Sequence, residues 1–389
     1  MARLDDRLLP YLQELKRRGG YRTMTPGAPE SAARITRGGR RLVNFSSNDY
    51  LDLAHHPELI QRAVEWTERW GAGSGASRLV TGTLDIYQAV EEKLARLKGT
   101  EAALIFNSGY QANAAVLPAL LDKGMIGGEP RIFTDRLIHA SLHHGCRGTR
   151  QIRFRHNDLD HLDSLLKKHS GPRSRPFIIT ESVFSMDGDR ADLAALCDLA
   201  DRHGAFLYVD EAHATGVLGP KGMGLSGHVP GGIDLVMGTF SKALGCFGAY
   251  IACSAPMRDY LVNRSAGFIY STALPPGVMG AMDAALDLVP GMDAERARLH
   301  AHADTLRRAL ERAGISAAGS SAQIVPAVIG SADAALAASR LLEEHGILGV
   351  AIRPPTVAEG TSRLRFAMTS AHTDEDIQAL LALIPEIAP

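Results

Sequence analysis

Hydrophobic and polar positions along the chain fall into two alternating kinds of segment. Leu4, Leu8, Leu12 and Leu15 share one helical face, which predicts an amphipathic helix at the start. Helical spacing also marks 58–70, 86–97, 113–121, 159–168, 193–203 and 278–288. Between them lie short apolar runs at 102–106, 131–134, 177–180, 205–209, 235–238 and 249–253. Runs of this kind, without clean polar alternation and separated by helices, predict strands buried on both faces of a mostly parallel sheet. The Pro- and Gly-containing stretch 24–41 reads as a connector. Beyond Pro275–Pro276, a long Ala/Arg/Leu-rich helical region precedes strand candidates at 323–329 and 363–368 and a closing helix around 374–383. That pattern predicts a smaller α+β terminal domain, giving an arm over 1–45, a large domain over 46–278 and a small one over 279–389.

Composition narrows the function classes. The chain has 389 residues, with 42 Lys+Arg against 43 Asp+Glu. A nucleic-acid binder usually carries a basic excess, so no nucleic-acid partner is expected. No apolar run approaches the roughly 18 residues of a membrane span, and the acidic, leucine-interrupted start does not resemble a secretory or transit segment. Cys146, Cys197, Cys246 and Cys253 show no C-x-x-C spacing and read as reduced intracellular thiols. A soluble cytoplasmic protein is expected. Only eight of the basic residues are lysines, which makes each one easy to weigh.

Two candidate motifs carry little chemistry. Gly71–Ala76 fits G-x-G-x-x-A, but a helical segment with Trp66 and Trp70 precedes it where a dinucleotide site needs a strand. It reads as a turn or as a loop lining a substrate site. His139 and His143 are spaced to share a helix face, yet no H-E-x-x-H and no nearby third ligand accompanies them, so no metal is expected. A lone ring role for His139, or plain packing, remains.

The stronger signal lies where apolar runs end. Polar clusters follow four of them: Asn107-Ser108-Gly109-Tyr110, Glu181 to Gly188, Asp210-Glu211-Ala212-His213, and Thr239-Phe240-Ser241-Lys242. In a parallel sheet the carboxyl edge of the strands is where ligands bind. Free N–H groups at Gly109–Tyr110, opening a helix, suit a phosphate. Lys242, at the end of an apolar segment, suits a desolvated amine nucleophile. A buried Asp can keep a pyridine nitrogen protonated. Together these are the needs of pyridoxal phosphate.

Nine ordered segments then bear a family resemblance: NFSSNDYL (44–51), GSGASRLVTGT (73–83), FNSGYQAN (106–113), DRLIHASL (135–142), ESVFSMDGD (181–189), VDEAHATGVLG (209–219), TFSKALG (239–245), IYSTALPP (269–276) and RPPTVAEGTSRLRF (353–366). They resemble the α-oxoamine synthases, pyridoxal-phosphate enzymes of fold type I, the aspartate-aminotransferase-like α/β fold. That implies a mostly parallel seven-stranded sheet in a large domain, a smaller α+β C-terminal domain and a homodimer. The resemblance implies that Lys242 carries the Schiff base and Asp210 pairs with the ring nitrogen. It places His213 and Ser185 at the ring's phenolic oxygen and His139 over its face. Gly109, Tyr110 and Thr239 would hold the phosphate. Arg365 would bind the amino-acid carboxylate, with Arg353 as a second clamp, and Asn48 and Thr356 would line the substrate site. Arg22 would meet the distal carboxylate of the acyl chain. The nearest branch joins L-alanine to a pimeloyl thioester, of CoA or a carrier protein, with loss of CO2; the alternative is glycine with acetyl-CoA. Two departures stand out: Asp52 replaces the usual Gly, where Asp tolerates positive φ, and Ala214 follows His213.

Overall fold

The computed structural model describes residues 4–17 and 20–388. They divide into two compact units, one of residues 48–185 and 189–299, the other of 4–17, 20–47, 186–188 and 300–388.

The larger unit is built on a seven-stranded sheet. Its strands run Ala102–Phe106, Ala249–Cys253, Leu235–Thr239, Phe206–Asp210, Ser174–Glu181, Glu129–Asp135 and Gln151–Phe154 across the sheet. Ala249–Cys253 alone is antiparallel to its neighbours; the other strands share one direction. Three strands, Ala102–Phe106, Leu235–Thr239 and Ala249–Cys253, are buried at every position, and Phe206–Asp210 at all but the first. This is why they read as continuous apolar runs rather than alternating ones. The edge strand Gln151–Phe154 has only Phe154 buried and left no such run.

In the smaller unit, the strand Ile324–Gly330 pairs with Ser362–Ala367, and Val350–Ile352 pairs with the other side of Ser362–Ala367, all antiparallel. The stretch expected as a connector instead forms an antiparallel meander, Ala28–Ser31, Arg34–Arg37 and Arg40–Asn44. Gly38 and Gly39, at φ 56° and 75°, form the two-residue turn between the last two strands. Arg40–Asn44 then pairs in parallel with Ile347–Leu348. The described residues up to 47 therefore group with the C-terminal segment, where a separate arm over 1–45 was expected. The helix Leu4–Arg17 forms as anticipated, yet none of its residues is buried, and Leu4 is 71% exposed.

The division also falls at 299/300 rather than 278/279, inside the helix Asp293–Arg312. The helix Pro276–Leu288 stays with the larger unit because it packs closely on Pro57–Trp70. A methyl group on Gly280 would collide with the Arg62 carbonyl, and Arg62 and Lys93 both pair with Asp283 and Asp287. Asp52 adopts φ 58°, the left-handed backbone that the substitution for Gly requires.

His156 ties two loops of the larger unit together. Its Nδ1 lies 2.9 Å from Asp135 Oδ1 and its Nε2 lies 2.7 Å from Asp189 Oδ2. Burial alone pulls the imidazole down, but the hydrogen bonds and charges of Asp135 and Asp189 outweigh it and raise its pKa to about 10. A folded pKa above the unfolded value of about 6.5 adds stability that is complete below pH 6.5 and lost as pH rises through 10. We expect urea unfolding to show a drop of ~2–4 kcal/mol between pH 6.5 and 10 in the native chain, relative to His156→Gln over the same range. Parallel pH profiles for the two would remove this role.

Candidate active site

Because the strands of the larger sheet other than Ala249–Cys253 run the same way, Phe106, Asp135, Glu181, Asp210 and Thr239 end at one edge. Asp210 is 4% exposed. Its Oδ1 accepts from the Ala212 N–H at 2.9 Å, which points the carboxylate back along its own turn. Its Oδ2 accepts from Asn113 Nδ2 at 2.9 Å. Asn113 sits fully buried on the helix Gly109–Leu120. The same Nδ2 donates to Ser141 Oγ at 2.9 Å, and Asn113 Oδ1 accepts from the Tyr208 hydroxyl at 2.7 Å. The carboxamide orientation is thus set on both sides.

Ser141 passes this order on to His139. The Ser141 main-chain N–H donates to His139 Nδ1 at 3.2 Å, so Nδ1 is an acceptor and the Ser141 hydroxyl, 2.7 Å away, donates to it as well. The neutral ring consequently carries its hydrogen on Nε2. His139 is exposed, but partial desolvation lowers its pKa; the Asp210 charge raises it and the Lys242 charge lowers it. The ring is neutral at pH 7, and it feels both Asp210 and Lys242. Glu181 accepts from the His139 N–H and lies beside Asp210 in register on the neighbouring strand. Burial, then the Asp210 charge, pushes Glu181 well above the usual carboxylate range.

At the next strand end, Thr239 Oγ1 is buried without a hydrogen-bond partner. A Cβ on Gly109 would come within 2.8 Å of Thr239 Cγ2, so only glycine lets the helix start this close. Ser108 caps that helix, its Oγ accepting from the Gln111 N–H at 3.2 Å. An unpartnered hydroxyl beside a 12-residue helix's N-terminal amides fits a phosphate group, and a fixed Asp210 fits a pyridinium. The residues present therefore fit pyridoxal phosphate. Tyr110 is exposed, and its hydroxyl lies 3.0 Å from His144 Nδ1. Lys242 and Ser185 are half-buried. His213 is buried, with Nδ1 2.8 Å from the Tyr50 hydroxyl, which itself donates to Asn48 Oδ1 at 3.1 Å.

The remaining residues expected to bind substrate lie in the smaller unit. Arg22 Nη2 donates to Thr356 Oγ1 at 3.3 Å, and Arg22, Arg353 and Thr356 line one cavity. Arg365 is buried within Ser362–Ala367, opposite Val350. Asn113, Ser141, Glu181 and Tyr50 were not singled out from sequence. Asn113 and Ser141 read as ordinary polar positions in a helix and a helix start, and only the fold brings them to Asp210. We expect Asn113→Leu to lower stability by roughly 2–4 kcal/mol in urea unfolding, because it strands the Asp210 carboxylate and the Tyr208 hydroxyl in a buried site. A loss below about 1 kcal/mol would mean these groups find other partners.

The profile described as aminotransferase class I and II matches residues 40–384. An 8-amino-7-oxononanoate synthase of Gluconacetobacter diazotrophicus is 57% identical over 392 residues, covering 100% of this chain and 98% of its own. One from Geobacter sulfurreducens is 48% identical, covering 97% and 96%. Among solved structures, a Sphingomonas wittichii serine palmitoyltransferase superposes with TM-score 0.90 at 27% identity, covering 99% and 98%. An 8-amino-7-oxononanoate synthase from Francisella tularensis gives 0.76 at 27%, covering 89% and 97%. With the family profile spanning nearly all of the sheet and the strand-end site, the chain belongs to the class I and II aminotransferase family.

Proposed function

We propose that this chain is a pyridoxal-phosphate-dependent acyltransferase that condenses L-alanine with a pimeloyl thioester, releasing CO2 and the free thiol to give 8-amino-7-oxononanoate. The observation that carries the reading is end-to-end similarity, at 48–57% identity, to proteins of that name. The pairing of a fixed Asp210 with the Gly109–Thr239 cradle on one sheet edge supports it. We place the enzyme in the cytoplasm as a homodimer; no described helix is long and apolar enough to cross a membrane.

When bound, pyridoxal phosphate supplies an electron sink for the pair left behind when a bond at the amino acid's α-carbon breaks. The chain's residues do the rest. Asp210, locked by Asn113 and Ala212, holds a proton on the ring nitrogen. Gly109, Tyr110 and Thr239 take the phosphate, and His213 and Ser185 take the phenolic oxygen. Lys242 Nζ would be the attachment point, and its amine is the base that would carry the α-proton. Neutral His139 covers the ring face and, with Nε2–H, can donate to an oxygen of the incoming thioester without adding a second positive charge beside Lys242. Arg365 and Arg353 hold the alanine carboxylate, Asn48 and Thr356 flank the reacting carbon, and Arg22 meets the acyl chain's far carboxylate.

Each pKa unit that Asp210 adds to the ring nitrogen is worth ~1.4 kcal/mol. We therefore expect Asp210→Ala to lower kcat by at least ~100-fold while changing alanine affinity far less. The purified protein should be yellow, and borohydride should bleach it and add the cofactor's mass to the peptide containing Lys242; Lys242→Ala should lack both signals. Mass spectrometry of products formed from competing amino acids and thioesters decides the substrates. Preference for glycine with acetyl-CoA would replace this reading with the neighbouring activity.

A further inference from the structure

The loop 48–54 of the larger unit is held from within. Asp49 Oδ1 accepts from the Leu53 N–H at 2.9 Å, and Asp49 Oδ2 accepts from the Ala54 N–H at 3.0 Å. Asp52, at φ 58°, turns the chain between them. A Cβ on Gly245 would collide with the Leu53–Ala54 backbone, so the loop lies directly on the turn that follows Lys242. The Gly245 N–H itself donates to the Lys242 carbonyl at 2.9 Å. Residues 48–54 thus form a rigid support beside the candidate site.

Tyr50 projects from that support. Its side chain is fully buried, and its hydroxyl sits between Asn48 Oδ1, at 3.1 Å, and His213 Nδ1, at 2.8 Å. The two rings are inclined at 50° with centroids 6.2 Å apart, so the hydroxyl and not the ring face meets the imidazole. A phenol has one hydrogen to donate and lone pairs with which to accept. Asn48 Oδ1 can only accept, so that hydrogen goes to Asn48. The same oxygen then accepts from His213, which puts a hydrogen on Nδ1. With Nδ1 bare, two acceptors would face each other in a buried position and a hydrogen bond would go unmade. The backbone around His213 is fixed separately, because the Ala214 and Thr215 N–H groups both donate to the Glu211 carbonyl at 2.9 Å. With Nδ1 committed to Tyr50, a ligand meets the ring through Nε2.

In its neutral form, an imidazole with hydrogen on Nδ1 has a lone pair on Nε2. We propose that Tyr50 is a positioning residue that presents His213 to the cofactor's phenolic oxygen as a proton acceptor. The proton between them moves along one hydrogen bond, leaving the phenolic oxygen for Nε2 and returning, while the Nδ1 hydrogen stays on Tyr50. The inference rests on the placement of His213 proposed above and adds a residue which that placement does not use.

The test is NMR of nitrogen-labelled histidine in the full chain, with the His213 signals identified as those absent from His213→Asn. In the cofactor-free native chain we expect the neutral ring to carry its hydrogen on Nδ1. Tyr50→Phe keeps the aromatic ring, removes the hydroxyl and loses that preference. In the same variant loaded with pyridoxal phosphate, Nε2–H becomes available to donate to an ionised phenolic oxygen. The absorbance band of the protonated phenolic oxygen should then fall at least about threefold against the longer-wavelength band of the ionised one, as loss of one hydrogen bond implies. Hydrogen on Nε2 in the native chain overturns the inference without any variant. A Tyr50→Phe chain with the native tautomer and the native band ratio overturns it too. A changed tautomer with an unchanged band ratio overturns the placement of His213 at the phenolic oxygen, and the inference with it, while leaving the proposed activity standing.

Discussion

The larger unit depends on one buried carboxamide. Asn113 has no exposed surface, and its amide group satisfies Asp210, Ser141 and Tyr208 together. A polar network inside a packed core is stable only when every member is satisfied, and here each partner fixes the next. Tyr208 fixes which way the amide points, and the amide aims Asp210. The same amide holds the Ser141 hydroxyl that lies against His139 Nδ1. A strand, a helix and a loop far apart in sequence thus share one constraint, and the chemistry of the strand ends inherits its geometry.

A second anchor holds the same turn from its other side. Glu211, the residue after Asp210, is fully buried and pairs with Lys98 at 2.6 Å; it also accepts from the Ser226 N–H and hydroxyl. Lys98 donates in addition to the Met223 carbonyl. Burying both charges costs more in desolvation than an exposed pair, and the extra hydrogen bonds offset that cost. Consecutive residues on one turn point into opposite, fully bonded polar pockets. The backbone between them has little freedom, and His213, two residues after Glu211, has its ring set against Tyr50.

Much of this was readable in the sequence, for an identifiable reason. Strands buried on both faces produce uninterrupted apolar runs, so 102–106 and 249–253 match the observed strands residue for residue. The strand-end clusters were legible because a parallel sheet must deliver its carboxyl ends to one edge. What escaped was structure made by pairing at a distance. The Ala28–Asn44 meander is half-exposed and short, and its one strong cue was the Gly38–Gly39 pair. Asn113 and Glu181 carry no local mark of their role, since the partners that define them lie tens of residues away.

The pairing of Glu181 with Asp210 has a further bearing on how the sheet assembles. Side chains alternate between the two faces of a strand, so sliding one strand by a single residue exchanges its faces. Most of this sheet is apolar on both faces, and such surfaces discriminate weakly between alignments. The two carboxyl groups discriminate strongly. With the correct alignment, one accepts from the His139 backbone while the other is held by Asn113 and Ala212. One step away, Asp210 would lose Asn113 and Glu181 would lose the His139 N–H inside the protein. The acidic strand ends of the site thus also favour the native register of the central strands over its neighbours.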